Sequence, residues 1–277
     1  MKKPAPYTHK DGSNCHIGSA CFRNRVRVIA PVSTGLTKYK TEQVGISFEL
    51  AIADIYGVNV NKKYRERGDS DVVAHVTPAI KAALANSGMP LPTKHIAEGK
   101  NPVDFELANN KTLSAKSNMK NTSMVCPQKI GQPTPISFWT YFSSLIPSGM
   151  TLDQISKLSY EDSGKIFKKV AFEQTSYLLT KYWENLFDCD YLLYISKVLD
   201  NSGTKLSSTP NVTLYKKPSS PKWKQEDFTF TGDLATWKES ITVKYKNISI
   251  GDWQIHDGRK CFKFRFNIKG LIKAGLL

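Results

Sequence analysis

The chain has 277 residues, 40% of them hydrophobic and 11% aromatic, and a formal net charge of +15. That is enough chain to bury a substantial core in one large or two small domains. No apolar run is long enough for a membrane span, the basic start "MKKPAPYTHKDG" lacks the apolar segment of a secretory signal, and five cysteines without framework spacing read as reduced thiols of a cytoplasmic protein.

The basic excess sits at the two ends. Residues 1–40 carry eight Lys/Arg against one acid, residues 205–277 carry fourteen against six, and the stretch between has seventeen of each. Such an excess favours a polyanion partner, because neutralising phosphates releases counterions. No basic amphipathic helix points to an anionic membrane instead.

In chain order, His9, Cys15, His16 and Cys21 are zinc ligands by type, but their spacing matches no standard finger. "NRVRVIAPV" (24–32) predicts a strand with Arg23, Arg25 and Arg27 on one face. Residues 42–58 have helical apolar spacing ended by Gly57, with Glu49 in the middle of the apolar segment. A second helix follows Pro78 and ends at Gly88. "NPVDFELANNKTLSAKSN" (101–118) then alternates Val103, Phe105 and Leu107 with polar residues, turns at Asn109–Asn110, and alternates again through Leu113 and Ala115. This is an antiparallel hairpin. A three-residue loop is expected to set Asp104 opposite Lys116, and a two-residue loop to shift that pairing by one. On its own, such a pair can be a surface ion pair.

Residues 125–134 read as a turn-rich loop and 135–146 as helical or buried. Thr151 and Gln154 suggest a capping box, and one long amphipathic helix is expected near 160–187. "DYLLYISKVL" (190–199) reads as a buried strand, 200–226 as a long Ser/Pro/Lys-rich loop, and "ITVKYKNI" (241–248) as an alternating strand. The expected fold is α/β, a mixed sheet flanked by helices in one domain, with a core near 42–199 and a β-rich region near 227–277.

A helical Glu, a hairpin carrying an acid and a Lys, and a strongly basic chain occur here in an order that resembles the PD-(D/E)xK nuclease superfamily, and most specifically type II restriction endonucleases. The resemblance covers about residues 45–132. It implies hydrolysis of double-stranded DNA at a short specific site with Mg²⁺. Asp104 would bind the metal, Lys116 would be the catalytic Lys, and Glu49 the helical acid. The tripeptide Ser114-Ala115-Lys116 has Ser where the family usually has Asp or Glu, and Pro102-Val103-Asp104 interrupts the Pro–Asp pair. Glu49 is the best substitute for the absent acid, with Glu98 and Glu106 in reserve. Mg²⁺ wants a few carboxylate oxygens and water, and a nearby Lys stabilises an anionic transition state. Gln128, Lys129 and Gln132 follow closely enough to touch the same phosphate.

"GDWQIHDGRKCFKFRFNIKG" (251–270) is a second hairpin around Asp257–Gly258. Phe262, Phe264, Phe266 and Ile268 form a core face. The other face offers Gln254, His256, Arg259, Lys263, Arg265 and Asn267 as DNA contacts, since such side chains reach base edges and phosphates. A solvated edge strand is the plainer reading of that face. Two-fold dimers suit palindromic sites. A non-catalytic DNA- or RNA-binding protein and a repair or recombination nuclease are the alternatives.

Overall fold

Two alternating hairpins far apart in the chain build two separate five-stranded sheets. The structure is a computed structural model describing residues 38–97, 101–128 and 130–277, together with the backbone of β1 (Tyr7–Thr8) and β2 (Asn14–Cys15). The chain divides into two compact units, 1–36 and 37–277. In the first, β1 and β2 pair antiparallel. The side chains proposed for zinc (His9, Cys15, His16, Cys21), the strand bearing Arg23, Arg25 and Arg27, and the residues Glu98 and Lys129 lie outside the described residues.

The second unit begins with α1 (Thr41–Tyr56), α2 (Lys62–Arg65), α3 (Ser70–Leu84), β3 (Pro92–His95), β4 (Phe105–Leu107), β5 (Lys111–Ser117) and β6 (Met124–Val125). It continues through α4 (Pro135–Tyr141), α5 (Leu152–Ser156), α6 (Tyr160–Glu173), α7 (Thr175–Leu186), β7 (Tyr191–Ser196), β8 (Asn211–Lys216), β9 (Phe228–Phe230), β10 (Ser240–Tyr245), β11 (Ile248–His256), β12 (Cys261–Asn267) and α8 (Ile268–Lys273). The first sheet has the order β3-β4-β5-β7-β8 and the second β6-β12-β11-β10-β9. The expected α/β class therefore holds, with the strands divided between two sheets. Only the β5–β7 pairing is parallel among the described strands, which makes the first sheet mixed and the second antiparallel.

β7 is buried on both faces, as its unbroken apolar run requires. Leu193 and Ile195 pack with α1 and α3, whereas Leu192 and Tyr194 enter a second core. That second core is aromatic: Phe138 of α4, Phe167 of α6, and Tyr182 and Trp183 of α7 meet Trp253, Phe262, Phe264 and Phe266 of the second sheet.

Several local expectations change. α3 starts before Pro78, because Asp69 caps it by accepting from the backbone N–H of Asp71 and Val72, and the stripe Val72, Val76, Ile80 and Leu84 is buried. These gains outweigh the one backbone donor that Pro removes. The long helix near 160–187 is two helices broken at Gln174, where φ is −124°. Gln225 bridges the break: its Nε2 donates to the Phe172 carbonyl (2.7 Å) and its Oε1 accepts from Ser176 N–H (3.0 Å). The presumed loop 200–226 contains β8, and the strand expected at 241–248 ends at Tyr245, turning through Lys246 and Asn247, both left-handed (φ 47° and 66°). Two short strands, β3 and β6, had no visible alternation in the sequence.

Candidate active site

The β4–β5 hairpin forms as its sequence predicts. Asn109 and Asn110 take the left-handed angles (φ 61° and 55°) that a tight reversal needs and that Asn tolerates. The register corrects the expected pairing. Phe105 pairs with Leu113 and Leu107 with Lys111 across a three-residue loop, and Asp104 N–H donates to the Leu113 carbonyl (3.0 Å). Asp104 therefore sits beside Ser114, not opposite Lys116. It is not a surface residue, being 3% exposed.

Three donors from β5 converge on one oxygen of this carboxylate. Asp104 Oδ2 accepts from Ala115 N–H (2.6 Å) and Ser114 Oγ (3.1 Å), and Lys116 Nζ lies 3.5 Å away. Ser114 is itself buried and also contacts the Pro102 carbonyl (2.9 Å). The position where the family pattern has an acid is thus a small hydroxyl packed against Asp104. Lys116 Nζ also lies 3.4 Å from Gln128 Oε1, so Gln128 of the following loop does join this group.

Glu49 approaches from α1 and is almost fully buried. Its Oε2 accepts from Tyr64 Oη (2.6 Å) and contacts His95 Nε2 (3.1 Å). Burial pushes the Glu49 carboxyl above its ordinary range. The bond from His95 opposes that, the charge of Asp104 adds to it, and Tyr64 and the Lys116 charge oppose it again. The charges of both Asp104 and Lys116 thus act on Glu49. Of the reserve acids, Glu106 points outward to Lys94 (3.6 Å) and is exposed. Tyr64 and His95 gave no signal in the sequence. Tyr64 sits on a four-residue helix and His95 on a four-residue strand, and only the tertiary fold brings them to Glu49.

Among the described residues, no group of three or more His, Cys, Asp and Glu converges as a metal centre. Two buried carboxylates, Glu49 and Asp104, do act on one another through their charges, and Mg²⁺ is commonly held by one or two carboxylates, with water and substrate phosphate completing its shell. The bonds to Asp104 fall on Oδ2 and those to Glu49 on Oε2, so each keeps one oxygen without a hydrogen bond among the described residues. The donor set fits a hard cation.

The loop after the hairpin runs along β12. Val125 pairs with Phe266, and the Gly131 and Pro133 carbonyls accept from Phe264 and Phe262 N–H (both 3.0 Å). A Cβ on Gly131 would stand 2.1 Å from the Pro127 carbonyl, so this crossing needs glycine. The loop thereby links the hairpin to the polar face of the second sheet.

On that face Arg265 makes a bidentate pair with Asp252, Nε to Oδ1 at 3.0 Å and Nη2 to Oδ2 at 2.6 Å. Gln254 also donates to Asp252 (3.3 Å), and Arg259 donates to Gln132 (3.3 Å). Lys263 pairs with Gln254 in the ladder and is half-buried; burial pushes its ammonium down, and the neighbouring Arg265 and Arg259 charges add to that while Cys126 opposes it. Asn267 has a structural job: its Oδ1 accepts from Ser123 Oγ (2.6 Å) and from Gly270 N–H (3.2 Å) at the start of α8. His256 lies at the end of that face, on a cleft shared with Gln254, Glu239, Ser240 and Asp257. The hairpin turn spans Asp257–Arg259, and its left-handed residue is Lys260 (φ 46°), not Gly258.

This chain is similar to a type II restriction enzyme. It is 28% identical over 238 residues to the type II restriction enzyme CviAII of Paramecium bursaria Chlorella virus 1, a match covering 84% of this chain and 60% of that enzyme. The similarity supports a relationship to restriction endonucleases. No protein-family model matches the chain, and no solved structure matches it significantly. Among the described residues no helix is long and apolar enough to cross a membrane.

Proposed function

We propose that the chain is a Mg²⁺-dependent, site-specific endonuclease that hydrolyses phosphodiester bonds in double-stranded DNA. The observation that carries this reading is the Lys116–Asp104 pair on β5 and β4, with the charges of both acting on the buried Glu49, in a strongly basic chain similar to a restriction enzyme. Glu49 and Asp104 would hold the cation, with Glu49 serving for the acid absent at Ser114. When bound, Mg²⁺ would polarise the phosphate and lower the pKa of its water.

The protein groups have separable tasks. Asp104 is fixed by β5 donors, so it meets the cation already oriented. Lys116, held between Asp104 and Gln128, places an ammonium where a phosphate oxygen or attacking water carries developing negative charge. Gln128, Lys129 and Gln132 would guide the backbone of the same strand. Gln254, Arg259, Lys263 and Arg265 line the adjoining polar face and would reach bases or phosphates, with Asp252 orienting Arg265. His256 and Asn267 belong to the same reading as outlying contacts. A two-fold dimer would match a palindromic site.

Incubation with plasmid DNA and Mg²⁺ tests this directly. Discrete fragments, lost on EDTA treatment and in Asp104→Asn, are expected. A smear would indicate a nonspecific nuclease, and intact DNA that is nevertheless bound would indicate a non-catalytic binder.

A further inference from the structure

Two donors grip one oxygen of Glu49 from two different elements. Tyr64 Oη (2.6 Å) and His95 Nε2 (3.1 Å) both meet Oε2. Tyr64 belongs to α2, which is tied to α1 by the pair Arg65–Asp54 (2.8 Å) one and a half turns beyond Glu49. His95 belongs to β3, where it pairs with Phe105, the residue after Asp104. The two rings meet edge to face with centroids 4.8 Å apart, and His95 packs in the same way on Phe105 at 5.1 Å. The His95 side chain is only 2% exposed.

We propose that His95 and Tyr64 are positioning residues for the candidate cation site: by holding Glu49 through Oε2, they leave Oε1 presented together with Asp104. This inference rests on the nuclease reading. Burial alone would be satisfied by one donor to each carboxylate. Here, among the described residues, each of the two carboxylates receives its donors on a single oxygen, Asp104 on Oδ2 and Glu49 on Oε2. Rotating the Glu49 carboxylate would break both of its bonds at once, so its second oxygen has a fixed direction. Groups that hold metal-binding carboxylates in this way change metal affinity by about 10–100-fold when removed.

Mn²⁺ binding to the full chain, followed by the electron paramagnetic resonance signal of free Mn²⁺, tests the inference without relying on cleavage. Tyr64→Phe, which removes one oxygen and keeps the ring packing, is expected to weaken Mn²⁺ binding about 10-fold. His95→Leu should weaken it at least as much. His95→Gln, whose Nε2 can reach the same oxygen, should recover most of that loss. Melting curves show whether each variant is folded, and if His95→Leu does not fold, Tyr64→Phe decides. Wild-type Mn²⁺ affinity in Tyr64→Phe, with affinity lost in Glu49→Gln and Asp104→Asn, would overturn the inference and leave the metal site standing. Absence of Mn²⁺ binding in the wild type, or full binding in Glu49→Gln and Asp104→Asn, would overturn the nuclease reading and the inference with it.

Discussion

The β4–β5 and β11–β12 hairpins look alike as sequence and differ in what lies over their polar faces. Both alternate apolar and polar residues around a turn, and both bury an aromatic or aliphatic face. In β4–β5 two of the polar residues are buried too: Asp104 and Ser114 are 3% and 1% exposed, and the charge of Asp104 acts on the buried Glu49 of α1. In β11–β12 the polar face stays half-open, and its charges pair sideways, Arg265 with Asp252. A buried polar face is costly unless every group is bonded, so it survives where its groups converge on a purpose. A half-open polar face costs little and suits a surface that meets a partner. On the proposed reading, the comparison separates a site for chemistry from one for contact.

The sharpest way to break that division is to remove the buried groups. Asp104→Asn and Lys116→Ala should each lower kcat by at least about 100-fold, while binding of the DNA measured without cleavage stays near that of the wild type. Plasmid cleavage at the wild-type rate by either variant would end the assignment of this hairpin to catalysis.

The second effect falls on the other hairpin's hidden side. Phe264 is fully buried and touches Tyr182, Trp253 and Phe266. Phe264→Ala should cost about 3–5 kcal/mol of stability in a urea titration. A cost under about 1 kcal/mol would mean that the aromatic core collapses around the gap or is not packed as described.

A smaller effect separates reading from holding on the half-open face. Arg265→Ala should cost about 1–3 kcal/mol of affinity, concentrated on the cognate sequence, if Arg265 contacts bases. Asp252 already occupies Nε and one proton of Nη2, leaving Nη1 and the outer Nη2 proton for DNA. Asp252→Asn should therefore relax specificity with less loss of overall binding. Equal weakening on cognate and random DNA, with the salt slope reduced by about one, would make Arg265 a phosphate contact. Binding measured on both DNAs at several salt concentrations decides.

How much of this was legible differs by region for physical reasons. Period-two alternation and the turn residues Asn109–Asn110 and Asp257–Gly258 announced both hairpins, and helical spacing announced α1 with Glu49 inside it. The same signals could not set the register: the loop closes between Leu107 and Lys111, and the ladder that follows, extended by the bond from Asp104 N–H to the Leu113 carbonyl, sets Asp104 beside Ser114. Nor could they reveal Tyr64 and His95, whose elements are four residues long and carry no period. Gln225 holding the break between α6 and α7 from 50 residues away is equally invisible to a local pattern. Residue type suggests Asn267 as a base contact but says nothing of a second task, the bonds its side-chain oxygen accepts from Ser123 and from the start of α8. Local periodicity reports which face is buried, and partner choice on the polar face is a tertiary matter.

The smallest expected effect tests how Asp104 is held. The Ser114 hydroxyl has one proton and two acceptors in reach, the Pro102 carbonyl at 2.9 Å and Asp104 Oδ2 at 3.1 Å. A charged acceptor makes the stronger bond, so ionised Asp104 should take the proton. Ser114→Ala then removes a charge-assisted bond in a buried place, costing about 1–3 kcal/mol of stability, while Ala115 N–H still holds Oδ2. Cleavage should survive at a reduced rate, because the carboxylate keeps its shortest bond. If the proton goes to Pro102 instead, Ser114→Ala should leave the cleavage rate near that of the wild type, and only the stability, followed by urea titration, should fall. Loss of cleavage as complete as in Asp104→Asn would contradict both assignments, since the Ala115 N–H still holds Oδ2 in Ser114→Ala.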